Sequence, residues 1–331
     1  MIVALILISV VIATPLIASA QATPQIIVTR RLGSGGWYTQ TNIFLGGANN
    51  TIKIPDNWNG GLVMLCRGYS PTSTDSLAPP PLRFNPNTIP MDTYTIFLAK
   101  GFATAASNYG EGGFCVKEAM IHTHQLTEYV INNYDVTGNV YLMGISMGGN
   151  VVLQLGAKYP DLYDGVLELC APKDLQSQYT DKMFFAGIAD DAALSAILFS
   201  RFGVSVPYPT PNASMFRTFC LYSGIDIAIA CGGTPEEKPQ AYKRISPMFS
   251  AADISIPTIT VHGTKDALSP YSKSIEFMNA VAAEGHLDLY RLYKVVGGQH
   301  GDTQLTAQVS SRFDQLVNWV EYGILPPPSS L

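Results

Sequence analysis

The chain has 331 residues, of which 20 are Lys or Arg and 25 are Asp or Glu, so its formal net charge is −5. Charged residues make up only 14% of the sequence and apolar residues 47%, a composition that excludes an intrinsically disordered chain. The sequence also lacks the basic excess and the Lys/Arg clusters of nucleic-acid-binding proteins, so we expect no nucleic acid among its partners.

The first twenty residues form an apolar segment typical of a secretory signal. Residues 2–13 are apolar except for Ser9, and the ASA triplet at residues 18–20 provides the small residues that signal peptidase accepts. We therefore predict a signal peptide at residues 1–20, cleaved after Ala20, and a secreted or extracytoplasmic protein. An uncleaved N-terminal membrane anchor is the alternative, because the segment is nearly long enough to span a bilayer. Beyond that anchor we expect no membrane association.

The rest of the chain combines strand and helix patterns. Residues 21–54 alternate β-favouring residues with turn signals and predict several antiparallel strands. The apolar run at residues 61–66 predicts a strand buried on both faces, and the Pro-rich residues 71–90 predict a surface loop. Further helices are predicted at residues 92–100, 116–133, 147–159, 271–284 and 306–322, and further strands at residues 102–107, 139–143, 165–170, 258–261 and 287–295. This alternation predicts an α/β fold with a doubly wound, mostly parallel sheet and helices on both faces.

The alternation lapses at residues 172–250, where irregular helical segments are rich in Phe and Met and are interrupted by Pro and Gly. We predict one α/β core formed by residues 21–171 and 251–331, with an insertion at residues 172–250 that returns to the same sheet. Most connections between elements are far shorter than this insertion. The Pro-rich tail at residues 326–330 is expected to be extended or disordered.

The clearest chemical signal lies at residues 139–149, which read NVYLMGISMGG. An apolar strand is followed by the motif GISMG and then by a helix, which is the pattern and the context of a nucleophile elbow. In such a turn a strained backbone lifts the Ser146 hydroxyl above the sheet, and Gly144 and Gly148 remove side chains that would collide with neighbouring elements. The N-terminus of the following helix stabilises developing negative charge.

A serine hydroxyl needs a base to remove its proton, and the sequence offers five histidines. His122 and His124 lie within a predicted helix and His286 lies on a turn, so we expect these three to be structural or exposed. His262 ends a strand, where packing or the orientation of another group is its expected role. His300 follows the last predicted strand, at the sheet edge where open α/β proteins place their ligands, and is the predicted general base.

The carboxylate that orients this histidine should also follow a strand at the same edge. Asp266 does so and is the predicted acid, although a residue in its position can also cap the next helix. Asp174 is the second candidate, Glu168 lies inside its strand and fits less well, and Asp302 is too close to His300 along the chain.

The chain order Ser146, Asp266, His300, together with the elbow and the sheet pattern, resembles the α/β-hydrolase superfamily. The resemblance runs from about residue 61 to residue 322, and the insertion lies where these proteins commonly carry a cap or lid. The stretch SNYG at residues 107–110, followed by Gly113 and a long helix, is similar to that of secreted esterase-like and prolyl-oligopeptidase-like hydrolases.

The resemblance also implies an oxyanion hole formed by two backbone N–H groups. One belongs to Met147, the residue after the nucleophile. The other lies in the loop after the family's third strand, where members often have His-Gly and this chain has CRGY at residues 66–69. Arg67 replaces the histidine, so we place the second donor on the backbone of Tyr69, the residue that follows the glycine, and its ring could border the substrate.

The five cysteines include no C-x-x-C pair and no histidine at metal-ligand spacing, so no metal site is predicted. Cys220 and Cys231 lie eleven residues apart near several glycines and, in an exported protein, could close a small loop as a disulfide. Cys66 and Cys170 each end an apolar strand-like run and are predicted to be buried thiols.

The triad supports acyl transfer through an acyl-Ser146 intermediate, in which His300 moves the protons. A serine nucleophile argues against haloalkane or epoxide hydrolysis, which use a carboxylate on this fold. We expect a carboxylic-ester hydrolase, without a metal or organic cofactor, that acts on a small or polymeric ester. The alternative is a serine peptidase of the prolyl-oligopeptidase-like type, and an acyltransferase and a non-catalytic binding protein rank below it.

The insertion gives the only indication of substrate chemistry. If part of its apolar surface roofs the site, the substrate should be apolar or aromatic. The alternative is that these side chains form the core of the insertion itself. The apolar residues are Met183, Phe184, Phe185, Ile197, Leu198, Phe199, Phe202, Met215, Phe216 and Phe219.

Overall fold

The computed structural model describes residues 26–33, 35–71, 95–210 and 212–330. The predicted signal peptide and most of the predicted Pro-rich loop lie outside these residues. In the part of the chain that is described, no helix combines the length and the apolar character needed to cross a membrane.

Within the described ranges, nine strands form one sheet in the order β1-β2-β3-β5-β4-β6-β7-β8-β9. The strands are β1 Ile26–Gly33, β2 Gly36–Leu45, β3 Ala48–Pro55, β4 Leu62–Cys66, β5 Ala103–Ser107, β6 Val140–Ile145, β7 Gly165–Leu169, β8 Thr258–Gly263 and β9 Tyr290–Val295. The first three strands and the β3–β5 pair are antiparallel, whereas every pair from β5 across to β9 is parallel. The predicted mostly parallel sheet with an antiparallel start is confirmed.

Helices cover both faces of the sheet. They are α1 Thr95–Ala99, α2 Val116–Asn133, α3 Met147–Lys158, α4 Leu175–Ala186, α5 Asp191–Phe202, α6 Ala213–Cys231, α7 Pro239–Arg244, α8 Tyr271–Ala283, α9 Thr303–Thr306 and α10 Val309–Tyr322. Side chains of α2, α3 and α8 pack in one apolar cluster, and those of α1 and α10 pack in the other. The chain is therefore doubly wound, as predicted.

Strand β4 shows how the sequence produces this arrangement. Successive side chains of a strand point to opposite faces of the sheet. Accordingly, Leu62, Met64 and Cys66 belong to the first cluster, and Val63 and Leu65 belong to the second. A strand that is buried on both faces must be apolar at every position, which is why this segment reads as a continuous apolar run.

The connection from β7 to β8 contains α4 to α7 and a 3₁₀ helix at Pro247–Asp253. Helices α4, α5 and α6 share an apolar cluster around Phe185, Leu198 and Phe216, and this cluster also includes Ala267 and Leu268 from the loop after β8. The inserted helices therefore pack directly against the loop that carries Asp266.

Two predicted boundaries near the C-terminus differ from the structure. Strand β9 begins at Tyr290, because Leu287–Leu289 forms a short 3₁₀ turn before it. The predicted last helix is two helices, α9 and α10, and the first of these begins after the capping side chain of Asp302. In the tail, Ser330 forms an isolated bridge with Tyr293 of β9, and its N–H donates to the Leu292 carbonyl at 3.0 Å.

Candidate active site

Ser146 occupies a tight turn between β6 and α3. Its φ of 58° lies in the left-handed region that residues other than glycine seldom adopt. The turn is held on both sides, because Ser146 N–H donates to the Leu169 carbonyl at 2.8 Å and the Ser146 carbonyl accepts from Asn150 N–H at 3.2 Å. This is the strained strand-to-helix geometry of a nucleophile elbow.

Gly144 and Gly148 make this turn possible. A Cβ atom at Gly148 would collide with the backbone carbonyl oxygens of Cys66 and Arg67, and a Cβ atom at Gly144 would collide with the carbonyl of Gly148. These obstacles are backbone atoms, which cannot rotate away as a side chain can. The two glycines therefore allow β4, β6 and α3 to approach one another closely around the serine.

The structure brings Ser146, His300 and Asp266 together from three separate loops at the carboxyl end of the parallel strands. His300 Nε2 lies 2.8 Å from Ser146 Oγ, and His300 Nδ1 lies 2.7 Å from Asp266 Oδ2. Only 11% of the His300 side chain is exposed, and the Asp266 side chain is fully buried. A hydroxyl, an imidazole and a carboxylate in this order and at these distances can move a proton from the serine to the histidine.

Asp266 is held ionised by its surroundings. Burial raises the pKa of this carboxyl, but the charge of His300 and hydrogen bonds from His262 and His300 outweigh burial and hold the pKa well below its usual range. Asp266 Oδ1 also accepts the backbone N–H groups of Leu268 at 2.9 Å and Ser269 at 2.8 Å. These contacts therefore fix both the position and the ionised state of the Asp266 carboxylate.

Two of the other candidate carboxylates are helix caps. Asp174 Oδ1 accepts N–H groups from the first turn of α4, and Asp302 Oδ1 does the same at α9. Asp302 Oδ2 also accepts Gln299 N–H at 2.7 Å, which closes the loop that carries His300. Asp302 therefore shapes the loop of the histidine, whereas Asp174 stabilises an inserted helix.

Glu168 is buried within β7 and belongs to a structural ion pair. Its carboxylate accepts hydrogen bonds from the Lys173 ammonium, the Thr260 hydroxyl and the Ala171 N–H. Burial lowers the pKa of Lys173, and the charge of Glu168 opposes this effect. These contacts engage both carboxylate oxygens within the sheet layer.

The remaining histidines are placed largely as the sequence predicts. His122 and His124 lie on α2, where burial lowers the pKa of His122 and His124 stacks on a tyrosine ring with centroids 4.1 Å apart. His286 precedes the 3₁₀ turn before β9. His262 is fully buried at the end of β8, beside Asp266.

The loop after β4 passes close to the nucleophile. A Cβ atom at Gly68 would lie 3.3 Å from the Cβ of Ser146, so a larger residue would press on the serine. Met147 is the first residue of α3, so its N–H has no carbonyl acceptor within the helix. This N–H lies at the positive end of the helix dipole. Tyr69, whose N–H is the predicted second donor, follows Gly68 in the same loop.

Arg67 holds this loop in place through hydrogen bonds. Its buried guanidinium donates to the carbonyl groups of Gly68 at 3.0 Å, Asn108 at 3.1 Å and Glu111 at 2.7 Å. Its backbone N–H donates to the Tyr109 hydroxyl at 2.8 Å. Arg67 thus ties the loop after β4 to the loop after β5.

About half of the apolar side chains named above form a core of the inserted helices. Phe185, Leu198 and Phe216 are fully buried among the inserted helices, whereas 49% of Phe184 and 63% of Phe199 are exposed. Phe219 is different, because its ring meets the ring of Tyr69 edge-on at a centroid distance of 5.5 Å. One aromatic residue of the insertion therefore reaches the loop beside the nucleophile.

The predicted disulfide between Cys220 and Cys231 is wrong. Both residues lie on helix α6 and both thiols are free. Eleven residues of an α-helix separate two side chains by about 16 Å along the axis, whereas bonded cysteines have Cα atoms within about 7 Å. Cys66 and Cys170 are buried, as predicted.

Cys170, Asp266 and His300 form a group, among the residues that the structure describes, whose possible metal-ligand atoms lie within 4.8 Å of one another. His300 Nδ1 and Asp266 Oδ2 are already joined by the 2.7 Å hydrogen bond. A bound ion would have to replace the proton of that bond, so the present geometry is that of a proton-transfer site.

Two buried charged residues of the insertion escaped the sequence analysis. Lys182 on α4 donates to the Leu268 carbonyl at 2.8 Å, and Asp226 on α6 accepts from the Tyr69 hydroxyl at 2.7 Å. Asp226 stands in the otherwise largely apolar stretch SGIDIAIA, and this isolation is the signal that could have identified it, whereas the mixed sequence of α4 gives no such signal for Lys182.

Two family models match parts of the sequence. Residues 104–177, which include Ser146, match an esterase family, and residues 217–324, which include Asp266 and His300, match the prolyl oligopeptidase family. No curated protein shows significant sequence similarity to the chain.

Solved structures share the fold at low sequence identity. Feruloyl esterase B from Aspergillus oryzae is 14% identical with a TM-score of 0.59, over 88% of this chain and 82% of that chain. A second esterase from Aspergillus oryzae is also 14% identical with a TM-score of 0.59, over 92% and 88% of the two chains. An acylaminoacyl peptidase from Pyrococcus horikoshii is 11% identical with a TM-score of 0.53. The match covers 89% of this chain and 42% of the peptidase.

Proposed function

We propose that this chain, a serine hydrolase of the α/β-hydrolase superfamily, cleaves carboxylic esters through an acyl-Ser146 intermediate. The observation that carries the proposal is the continuous path of hydrogen bonds from Asp266 through His300 to Ser146, at 2.7 and 2.8 Å. The ionised Asp266 accepts the Nδ1 proton of His300, and this fixes the tautomer whose Nε2 is free to take the serine proton.

In the proposed reaction Ser146 Oγ attacks the ester carbonyl while His300 Nε2 takes its proton. The oxyanion accepts hydrogen bonds from the N–H groups of Met147 and Tyr69, and His300 then protonates the departing alcohol. Water, deprotonated by His300, attacks the acyl-enzyme and releases the acid and the free serine. Asp266 remains ionised throughout and stabilises the imidazolium.

The surroundings of the loop after β4 support an apolar or aromatic ester, small or polymeric. The ring of Tyr69 lies 6.0 Å from that of Phe114 and 5.5 Å from that of Phe219, and Tyr69 adjoins Gly68 beside the nucleophile. Such a cluster offers apolar surface to an acyl or alcohol group. Export with cleavage of the N-terminal signal is part of the same proposal, and N-terminal sequencing of the mature protein tests it.

Hydrolysis of p-nitrophenyl esters with short, long and aromatic acyl groups tests the reaction. Ser146→Ala should lower kcat by a factor of about 10⁴ or more, whereas Ser311→Ala, at an exposed serine of α10, should match wild type. Comparable rates for wild type and Ser146→Ala would end the proposal. Faster turnover of aminoacyl p-nitroanilides than of esters would instead favour a peptidase, which the prolyl oligopeptidase match at residues 217–324 makes the second candidate.

A further inference from the structure

We infer that His262 is a positioning residue of this site, which aims the Asp266 carboxylate at His300. The inference rests on the proposed function, because it assigns His262 a role in the reaction of Ser146. It extends the row of side chains in polar contact from three residues to five, in the order Ser274, His262, Asp266, His300, Ser146, with the His262–Asp266 contact at 3.2 Å.

The contacts of His262 use both ring nitrogens. Nδ1 lies 2.7 Å from the hydroxyl oxygen of Ser274 on α8. Nε2 lies 2.7 Å from the carbonyl oxygen of Ser269 and 3.2 Å from Asp266 Oδ2. The ring is fully buried, so these protein groups replace water as its partners.

The partners determine where the proton of the ring lies. A carbonyl oxygen only accepts hydrogen bonds, so Nε2 carries a proton and donates it to the Ser269 carbonyl. Asp266 Oδ2, which also only accepts, lies 3.2 Å from the same nitrogen. In the neutral ring Nδ1 is then the acceptor, and the Ser274 hydroxyl donates to it. The tautomer of His262 is therefore set by its surroundings, and its N–H faces the carboxylate.

This arrangement fixes the direction of the Asp266 carboxylate. Oδ1 accepts the N–H groups of Leu268 and Ser269, which lie in the same loop as Asp266. Oδ2, the oxygen that faces His300, also lies 3.2 Å from Nε2 of a ring at the end of β8, a strand that is paired with β7 on one side and β9 on the other. His262 thus holds Oδ2 in a fixed position relative to the sheet.

The role of His262 is orientation, and the ring exchanges no proton with the substrate. Its N–H also stabilises the negative charge of Asp266, in the same sense as the N–H of His300 does. A carboxylate that turned away from His300 would leave the imidazolium formed during the reaction without its partner. Removing His262 should therefore slow the chemical step and leave substrate binding unchanged.

The test compares His262→Phe, which keeps a planar ring but has no N–H, with His262→Gln, whose amide can place a donor near the former Nε2. We expect His262→Phe to lower kcat by about tenfold to a hundredfold at unchanged KM, as expected for a coupling of a few kcal/mol, and His262→Gln to recover a large part of it. His286→Gln, which replaces a histidine remote from Asp266, serves as the matched control. Thermal unfolding identifies the folded fraction of each variant.

A double-mutant cycle separates positioning from a structural role. If His262 acts through Asp266, His262→Phe should cost less than about threefold in the Asp266→Ala background. An equal cost in both backgrounds, or a fall in stability without a fall in kcat of the folded protein, would overturn the inference.

The same variants are also scored by the rate at which a fluorophosphonate labels Ser146. This rate needs the activated serine but no particular ester, so it separates the two proposals. A wild-type protein that is labelled but hydrolyses no ester contradicts the proposed substrate class alone. Unchanged labelling of His262→Phe contradicts the role of His262 alone.

Discussion

The Tyr69 hydroxyl donates a hydrogen bond of 2.7 Å to Asp226 Oδ2 and so joins the loop after β4 to the inserted helix α6. Asp226 is almost fully buried, and the Tyr69 ring packs edge-on against Phe219 from the same helix. The side chain of Tyr69 therefore bonds to and packs against helix α6. Its backbone follows Gly68, which lies beside Ser146. The inserted helices thus help to define the loop to which we assign the second oxyanion donor.

Tyr69→Phe tests this division of roles between the phenol and the backbone. The variant keeps the N–H and the ring but loses the hydrogen bond to Asp226, which should cost about 1–3 kcal/mol of stability. We expect kcat to fall by less than about tenfold, because loss of an oxyanion donor typically costs about a hundredfold to a thousandfold. Thermal unfolding and ester turnover measure the two effects. A hundredfold fall in kcat would assign the oxyanion contact to the phenol.

Gly148→Ala should prevent the elbow from forming. The added Cβ would meet the carbonyl oxygens of Cys66 and Arg67, so β4 and α3 would have to separate in the centre of the molecule. We expect a loss of several kcal/mol in stability, or no folded protein. Gly187→Ala is the matched control, because its nearest neighbours would be 3.5 Å away and its φ is −75°. That variant should be as stable as wild type or slightly more so, and equal stability of the two variants would contradict the steric argument.

The local parts of the site could be predicted from the sequence. Ser146 lies between an apolar run and a helical pattern, and Asp266 and His300 each follow a strand of the same sheet. Parallel strands end at one edge, so residues just after them are brought together whatever their separation in the chain. The topology of the core thus predicts the neighbours of the nucleophile without any knowledge of side-chain contacts.

Contacts that depend on the insertion could not be predicted in this way. The segment around Gly224 combines glycine with apolar residues, so no amphipathic pattern indicates helix α6, and the sequence instead predicts a small loop between Cys220 and Cys231. The partners of Tyr69 and Lys182 lie on elements that no local pattern brings together. Such pairings are decided by how the inserted helices pack on the loop after β8, which is a property of the folded chain.

The five thiols should all be free in the isolated protein. The chain has five cysteines, each of them buried and unpaired. Burial raises the pKa of Cys220 and of Cys231 to about 11, so both should react slowly with a thiol reagent in the native protein. Titration in denaturant without reductant should give five thiols per chain. A count of three would show that a disulfide forms despite the helix.

Lys182 offers a test of how burial and charge combine within the insertion. Its ammonium is buried and donates to the Leu268 carbonyl at 2.8 Å, and the Gln178 amide donates to the same oxygen at 2.6 Å. Burial lowers the pKa of Lys182, and the negative charge of neighbours such as Asp266 offsets only part of this effect. In Lys182→Met the carbonyl keeps the Gln178 donor and the cost of burying a cation disappears, so we expect the variant to equal or exceed wild type in stability at pH 7.

The same lysine predicts how this difference depends on pH. Because the folded-state pKa of Lys182 is lowered, the unfolded chain binds more protons between that pKa and the ordinary lysine value of about 10.4, and the stability of wild type rises with pH across this interval. Lys182→Met lacks this gain, so its advantage should shrink as the pH is raised from about 7 toward about 10. Denaturant unfolding at several pH values measures it, with the exposed Lys117→Met as a control whose difference from wild type stays constant. A variant that is less stable than wild type by the same amount at every pH would show that the ammonium is a net stabilising group, held by Leu268 strongly enough to overcome its burial.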